Sequence, residues 1–332
     1  MQIIRLPWCG LVMAILIFTF SAQAETAPTP SSASVDYIWA YQGQVAFFRS
    51  GDKVGLIHKD GRILAEAVYD DVRPFYNGYA RVIQNGLWGM IDLTGKVITR
   101  PQWDIVSWAD EGLIAVKKSK WGVIDKNGEV VIPLEWDAAS GFDEGLSFVE
   151  KNGKCGFIDP KGNIVIDLIY DDITIFTEGL AGVKKDEDYQ YIDVKGNVLL
   201  NVNSKHIRGF SEGLAFCDNA EGLYGFIDKT GAFVIEPQYT NGWSFRQGLA
   251  PVQQNGSWFF IDRAGAAAFN DQWEDAQHFN SNLAPVKKNG QWGYIDLSGE
   301  VVLDYQWDDA SSFLDGYASV RKGLLTGYIN DR

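Results

Sequence analysis

The chain has little of the side chains that most often carry catalytic or metal chemistry. Its 332 residues include only three His, three Cys and three Met. The histidines, His58, His206 and His278, are far apart in the sequence, and no H-x-x-x-H pair or Cys/His cluster occurs. This scarcity argues against a transition-metal site, which needs closely spaced His and Cys ligands.

Positive charge is also scarce. Asp and Glu number 43 against 29 Lys and Arg, which gives a formal charge of −14, and no basic run offsets it. An acidic chain repels nucleic acid and anionic lipid surfaces, so neither is an expected partner.

The N-terminus has the features of an export signal. Arg5 precedes an apolar run from Leu11 to Phe20, and Ser21 to Ala24 supply small residues in an A-x-A pattern. The run is too short for a membrane anchor, which needs about 20 apolar residues, and no later run is longer. We therefore predict a signal peptide at 1–24, a disordered Pro/Ser-rich leader at 25–36 and a repeat array at 37–332. The mature chain would be exported, periplasmic or secreted, with no membrane span after cleavage.

Two cysteines, Cys155 and Cys217, belong to the mature chain. Export permits a disulfide, but these residues lie nearly two repeats apart, in different predicted strands. They are either bridged or two half-buried thiols that act as small apolar side chains.

The dominant pattern is a phrase W-G-x-I-D-x-x-G that recurs along the chain. Its Ile moves from Ile57 to Ile329 in steps of 34, 34, 33, 34, 34, 35, 34 and 34 residues. A period this regular indicates stacked supersecondary units. Irregular copies occur at both ends and in the middle, where Tyr189-Gln190 replaces Trp-Gly.

One repeat reads as three antiparallel strands. In Leu283–Gly316, Asn289-Gly290 predicts a tight turn between the first two strands, and Asp296 to Gly299 predicts a second turn before the third. The sequence therefore predicts an all-β tandem array of eight three-stranded meanders plus a closing hairpin. The array is either a curved solenoid or a propeller-like ring, which the C-terminal hairpin would close by pairing with Val35–Tyr41.

The repeated Trp-Gly pair is interpreted as structural. Glycine weakens a strand interior, so its recurrence indicates close approach of a neighbouring backbone or of a large ring from the third strand. The clearest pairs are Trp88-Gly89, Trp121-Gly122 and Trp292-Gly293.

These residues resemble the WG-repeat family, also called KWG repeats. The resemblance rests on Lys120–Asp125 and the phrase Phe142–Leu146, and extends over the chain from about Tyr37. It implies an all-β repeat protein, often exported, with no shared activity, no cofactor and no catalytic residues to transfer.

Acidic residues recur just after the third strand. They form pairs or single acids that stacking would align as a ridge: Asp70, Asp71, Asp171, Asp172, Glu274, Asp275, Asp308 and Asp309. This acidic ridge either binds Ca²⁺ or a cationic partner, or serves local turn hydrogen bonding. We favour the turn interpretation.

The aromatic residues raise a similar choice between packing and binding. Most Trp residues recur at motif positions, as core residues do, whereas Trp39, Trp108 and Trp243 do not and are better ligand candidates. A G-x-S-x-G match at Ser211 falls in a variable repeat connection and does not indicate a hydrolase. We predict a non-enzymatic scaffold that binds an exported or cell-envelope protein; the alternative is a module that binds cell-wall glycan or another polysaccharide.

Overall fold

The chain folds as nine small antiparallel β-sheets arranged as the blades of a nine-bladed propeller. The computed structural model describes residues 35–39, 41–110, 112–314, 316–323 and 325–330. The predicted signal peptide and most of the predicted leader lie outside these residues. Nowhere in the described ranges is there a helix of the length and apolarity needed to cross a membrane.

The first five blades have four strands each. Blade 1 comprises β1 (Tyr37–Ile38), β2 (Val45–Ser50), β3 (Lys53–His58) and β4 (Ile63–Tyr69). Blade 2 comprises β5 (Asp71–Val72), β6 (Tyr79–Gln84), β7 (Leu87–Asp92) and β8 (Val97–Trp103). Blade 3 comprises β9 (Ile105–Asp110), β10 (Leu113–Lys118), β11 (Lys120–Asp125) and β12 (Val130–Trp136). Blade 4 comprises β13 (Ala138–Asp143), β14 (Leu146–Lys151), β15 (Lys154–Ile158) and β16 (Ile164–Tyr170). Blade 5 comprises β17 (Asp172–Ile173), β18 (Ala181–Lys185), β19 (Asp188–Ile192) and β20 (Val198–Val202).

The last four blades are less regular. Blade 6 comprises β21 (Ala215–Asp218), β22 (Tyr224–Ile227) and β23 (Phe233–Tyr239). Blade 7 comprises β24 (Asn241–Gly242), β25 (Ala250–Gln254) and β26 (Ser257–Ile261), with isolated bridges in place of a third long strand. Blade 8 comprises β27 (Asp275–Ala276), β28 (Leu283–Lys288), β29 (Gln291–Asp296) and β30 (Val301–Trp307). Blade 9 comprises β31 (Asp309–Ala310), β32 (Tyr317–Lys322) and β33 (Leu325–Asn330).

The predicted meander is present in most blades, but most sheets gain a further strand from the connection. Residues directly after the third strand stay extended and pair with the free edge of the next first strand, as Asp71 does with Ile83. In blades 3 and 4 this added strand is six residues long. The connection is therefore largely sheet, because an unpaired edge offers backbone groups that extended chain can satisfy.

The Trp-Gly glycine sits opposite a β-bulge of the third strand. In blade 3, Trp121 pairs with Trp136 but Val123 pairs with Ile132, so the register shifts at Gly122. A Cβ on Gly122 would lie 2.7 Å from the carbonyl oxygen of Ile132. Of the two predicted causes for the glycine, the neighbouring backbone is the main one. The third-strand aromatic instead lies across from the motif Trp.

Apolar faces are buried between neighbouring blades. In seven blades a Phe, here called the connection aromatic, precedes the first strand. It packs against the preceding blade: Phe176 lies 4.6 Å from Phe157, and Phe245 lies 4.7 Å from Phe226, between ring centroids. Its members are Phe75, Phe142, Phe176, Phe210, Phe245, Phe279 and Phe313. Because each core contains residues of two blades, no blade buries its faces alone.

The ring closes through side chains rather than through strand exchange. The predicted pairing of the C-terminal hairpin with Val35–Tyr41 is wrong, because Tyr37–Ile38 pairs with β2 inside blade 1. Instead, the Tyr317 hydroxyl of blade 9 donates to the Tyr41 carbonyl of blade 1 at 3.5 Å.

We expect Gly122→Ala to lower the free energy of unfolding by about 1–3 kcal/mol, because its methyl group would overlap the Ile132 carbonyl. Denaturant unfolding followed by tryptophan fluorescence measures the change. Gly141→Ala is the matched control: Gly141 is also in a strand, but its Cβ would meet no atom within 4 Å. Equal effects of the two substitutions would contradict the bulge explanation.

Candidate interaction surface

The first acid of each ridge pair caps the hairpin between the first and second strands. Asp171 accepts from the Asp186 N–H at 2.7 Å and from Lys154 Nζ at 2.5 Å. Asp186 has a positive φ, so its N–H points away from the ladder and needs an acceptor. The same cap occurs at Asp70, Asp137, Glu274 and Asp308.

The second acid of each pair bonds to its own local backbone. Asp71, Asp172, Asp275 and Asp309 each accept from the N–H of the following residue at 2.8–3.1 Å. Asp71 also pairs with Arg73 at 2.5 Å, and burial raises the pKa of Asp275. Within the described residues, no three His, Cys, Asp or Glu side chains converge as ligands for a metal ion.

A set of glutamates outside the acidic ridge links the blades. The N–H of Gly179 donates to Glu144 at 2.9 Å, that of Gly213 to Glu178 at 3.0 Å, and that of Gly248 to Glu212 at 3.0 Å. Each bond joins one Glu-Gly turn to the turn of the next blade. The repeated Glu-Gly dipeptide was the available signal, because glutamate at positive φ is uncommon.

The two mature cysteines are free thiols. Both are buried, Cys155 in the core between blades 4 and 5 and Cys217 in the core between blades 5 and 6. Burial, followed by nearby acids, raises the pKa of Cys155 to about 11. Of the two alternatives, the structure therefore shows small apolar side chains rather than a bridge.

One position of the repeat varies in a way that turn chemistry does not explain. The junction residue lies two positions before the connection aromatic, or before Ala109 in blade 3 and Tyr41 in blade 1. It is Ser or Thr in four blades: Ser107, Ser140, Thr174 and Ser311. Its hydroxyl accepts an N–H of the first strand at 2.8–3.0 Å. The other five blades carry Trp39, Arg73, Arg208, Trp243 and Gln277. The shared hydrogen bond defines Ser or Thr as the structural default, so the five large residues depart from it.

Two of the five departures have a structural role of their own. Trp39, predicted as a ligand candidate, is only 9% exposed and packs edge-on against Phe47 in the core of blades 1 and 2. Gln277 bonds to Ala310 and Ser312 of the next blade. Arg73, Arg208 and Trp243 remain.

The first cluster that results, the Arg81 cluster, comprises Arg73, Arg81, Trp88 and Trp108. The Arg81 guanidinium lies 3.6 Å from the ring centroid of Trp108 and 5.3 Å from that of Trp88. Arg73 lies 5.5 Å from the same Trp88 ring. Trp108, also predicted as a ligand candidate, is half-buried here and serves as the stacking partner of Arg81.

The second cluster, the Trp243 cluster, comprises Arg208, Phe216, Trp243 and His278. Arg208 lies 5.5 Å from the ring centroids of both Phe216 and Trp243, and His278 meets Trp243 edge-on at 6.3 Å. Trp243 is 40% exposed. Burial, with a smaller effect of Arg246, lowers the pKa of His278 to about 4, so its ring is neutral at pH 7. The cluster thus offers an exposed aromatic face beside one cation.

Acid should weaken the turn caps. Hydrogen bonds from Lys120 and then from the Asn152 N–H lower the pKa of Asp137. The stability that this carboxylate adds to the folded state is therefore fully present above its unfolded pKa of about 4. It is lost as pH falls through the lower folded value. We therefore expect Asp137→Asn to lower the thermal midpoint at pH 7, and the difference from the unsubstituted protein to shrink towards pH 2. Thermal melts at fixed ionic strength measure it.

Asp167→Asn, on the exposed face of β16, controls for loss of one surface negative charge. A wild-type-to-Asp137→Asn difference that is constant from pH 7 to pH 2 would contradict the capping role.

Comparison with solved structures finds similar folds at low sequence identity. A eukaryotic initiation factor aligns with a TM-score of 0.53 at 10% identity over 84% of this chain and 90% of its own. BamB from Moraxella catarrhalis aligns with a TM-score of 0.49 at 10% identity, over 77% of this chain and 94% of its own. No curated protein sequence matches the chain.

A family model supplies a closer relationship. The model described as WG containing repeat matches seven times, at residues 55–88, 88–120, 121–155, 156–189, 224–258, 258–292 and 292–323. The stretch between the fourth and fifth matches, 190–223, contains the irregular middle copy. With more than half of its residues matched in register, the chain belongs to the WG-repeat family.

Proposed function

We propose that this protein is a non-catalytic scaffold that binds a partner protein through its junction residues. The observation that carries the proposal is the departure of Arg73, Arg208 and Trp243 from a structural default of Ser or Thr. Each departure gives up a hydrogen bond to the backbone and exposes or half-buries a large side chain instead. Trp and Arg are the residues most enriched at the energetic centres of protein interfaces.

The acids support a binding role over a catalytic one. Hydrolytic chemistry needs carboxylates free to exchange protons or attack a substrate. Here the ridge acids cap turns, and the Glu-Gly glutamates hold neighbouring blades together. The negative charge of these acids is thus used in the framework, whereas the large residues at the junction positions are aromatic or cationic.

The expected partner is an exported or cell-envelope protein, because the sequence predicts a signal peptide at 1–24. Stacked repeats present extended surfaces, and two clusters on different blades allow a partner to be held at two places. A partner held in this way gains affinity without a large continuous interface.

Trp243→Ala should reduce recovery of the partner, because an exposed aromatic at an interface centre contributes strongly to binding. The measurement is in-cell crosslinking of the tagged protein in its native host, followed by mass spectrometry of co-purified proteins. Tyr37→Ala is the matched control, since Tyr37 is comparably exposed at 45% but lies outside the junction positions. Capture of the same proteins in equal amount by all three forms would refute the role of Trp243.

One observation favours a second candidate, a glycan-binding module. An exposed Trp243 ring beside a cation and a neutral His278 suits stacking of a sugar ring with hydrogen bonds at its edge. This alternative predicts retention on insoluble cell-wall glycan that free sugar releases and Trp243→Ala abolishes. Recovery of glycan without protein in the crosslinking experiment would favour the glycan-binding module over the protein scaffold.

A further inference from the structure

Arg81 occupies a place in its blade where other copies carry small or apolar side chains. It pairs with Met90 in the middle of blade 2, and the matching residues include Ala115, Phe148, Pro251 and Pro285. Its guanidinium lies close to the motif Trp88 of its own blade and to Trp108 of the next. Arginine at this position is thus not required to build a blade.

The guanidinium is poorly compensated. Nη1 donates to the Val106 carbonyl at 3.2 Å, whereas the buried Nε has no hydrogen-bond acceptor among the described residues. No described carboxylate lies within ion-pair distance of Arg81. Burial, followed by repulsion from Arg73, lowers its pKa to about 10. A partly buried cation without an anion is costly, and removing it from a purely structural seam would cost little.

The charges around Arg81 leave an excess of one positive unit. Arg73 is neutralised by Asp71 at 2.5 Å, and Tyr328 of blade 9 is the other titratable group that acts electrostatically on Arg81. The Tyr328 hydroxyl keeps its proton at neutral pH, because burial raises its pKa. Among the described residues, Arg81 is therefore a cation without a carboxylate partner, and it lies beside two indole rings.

We infer that the Arg81 cluster binds a carboxylate of an acidic segment of the partner protein. This inference rests on the proposed scaffold function and names the chemistry of what the scaffold binds. The planar guanidinium forms paired hydrogen bonds with a carboxylate, and the flanking indoles hold it in one plane. Arg81 is of intermediate exposure, so part of the residue reaches the surface although its Nε is buried.

A carboxylate suits the site better than a phosphate. Phosphate carries up to two negative charges and is usually met by a cluster of arginines. The Arg81 cluster offers one uncompensated charge, because Arg73 is paired with Asp71, and this charge matches that of a single carboxylate.

Titration calorimetry with an acetylated, amidated hexaglutamate peptide tests this assignment, with hexaglutamine as the neutral peptide. We expect the protein to bind hexaglutamate and not hexaglutamine. Arg81→Met should weaken binding about tenfold or more, the scale expected when a hydrogen-bonded charge pair is lost. Arg81→Lys keeps the charge but loses the fork, so it should bind weakly as well.

Arg100→Met is the matched control, because Arg100 is an exposed arginine on β8 of the same blade. It should leave hexaglutamate affinity unchanged. Circular dichroism of each variant checks that it is folded. A second substitution in the cluster is Arg73→Met, at a side chain that is 31% exposed. Arg73→Met leaves Asp71 without its cation, and the freed negative charge should also weaken binding of hexaglutamate. Equal affinity of the wild type and Arg81→Met, or no binding by the wild type, would overturn the inference.

Two further outcomes separate this inference from the proposed function. Tighter, Arg81-dependent binding of polygalacturonate than of hexaglutamate would overturn the acidic-peptide assignment in favour of a uronate glycan. If cells yield a crosslinked partner that the Arg81→Met variant captures as well as the wild type does, the carboxylate site is wrong and the scaffold function is supported. If no form of the protein captures a partner, the proposed scaffold function is wrong, whatever the result with the peptides.

Discussion

Every other feature of this protein depends on the inability of one blade to bury both of its faces. A blade of about 34 residues has apolar side chains on each side of its sheet, and only a neighbouring blade covers them. The connection aromatic performs this covering, as Phe176 on Phe157 and Phe245 on Phe226 show. The strict period follows, because a blade with a different spacing would place its aromatic away from the pocket that the preceding blade provides.

The same constraint explains where the acidic charge goes. Tight packing of many short strands requires many hairpins, and the turn residues at positive φ leave N–H groups outside the ladder. Aspartates after the third strand accept those N–H groups, and the Glu-Gly glutamates accept others across the blade boundary. An acidic composition that invites a search for calcium or cationic partners is thus largely a consequence of turn density.

Much of this architecture is predictable from sequence, because it is periodic. The recurrence of Ile-Asp and Trp-Gly predicted the all-β array, the strand order within a blade and the turns at Asn289-Gly290. Three features were not predictable. The bulge opposite Gly122 depends on how the third strand pairs. The added strands such as Asp71–Val72 depend on an open edge in the next blade. The way in which blades 1 and 9 meet to close the ring depends on contacts such as that of Tyr317 with Tyr41.

The site was less predictable than the fold, for a physical reason. Off-motif position alone selected Trp39, Trp108 and Trp243, yet Trp39 fills a core, and Trp108 is half-buried against an arginine that the sequence does not mark. What distinguishes Trp243 and Arg73 is the loss of a serine hydrogen bond to the first strand. That bond becomes visible only when the backbones of several blades are compared in space.

Each sheet of the ring is made from one uninterrupted stretch of chain, including the first, in which β1 pairs with β2. No blade therefore waits for a strand from the opposite terminus. During synthesis, a blade forms its hydrogen bonds as soon as its own residues have emerged, and it docks on the blade made before it. Contacts of this kind are local in sequence, which favours fast folding and limits the time that strand edges are open to other chains. The last event is a docking of two finished surfaces, with no threading and no exchange of strands.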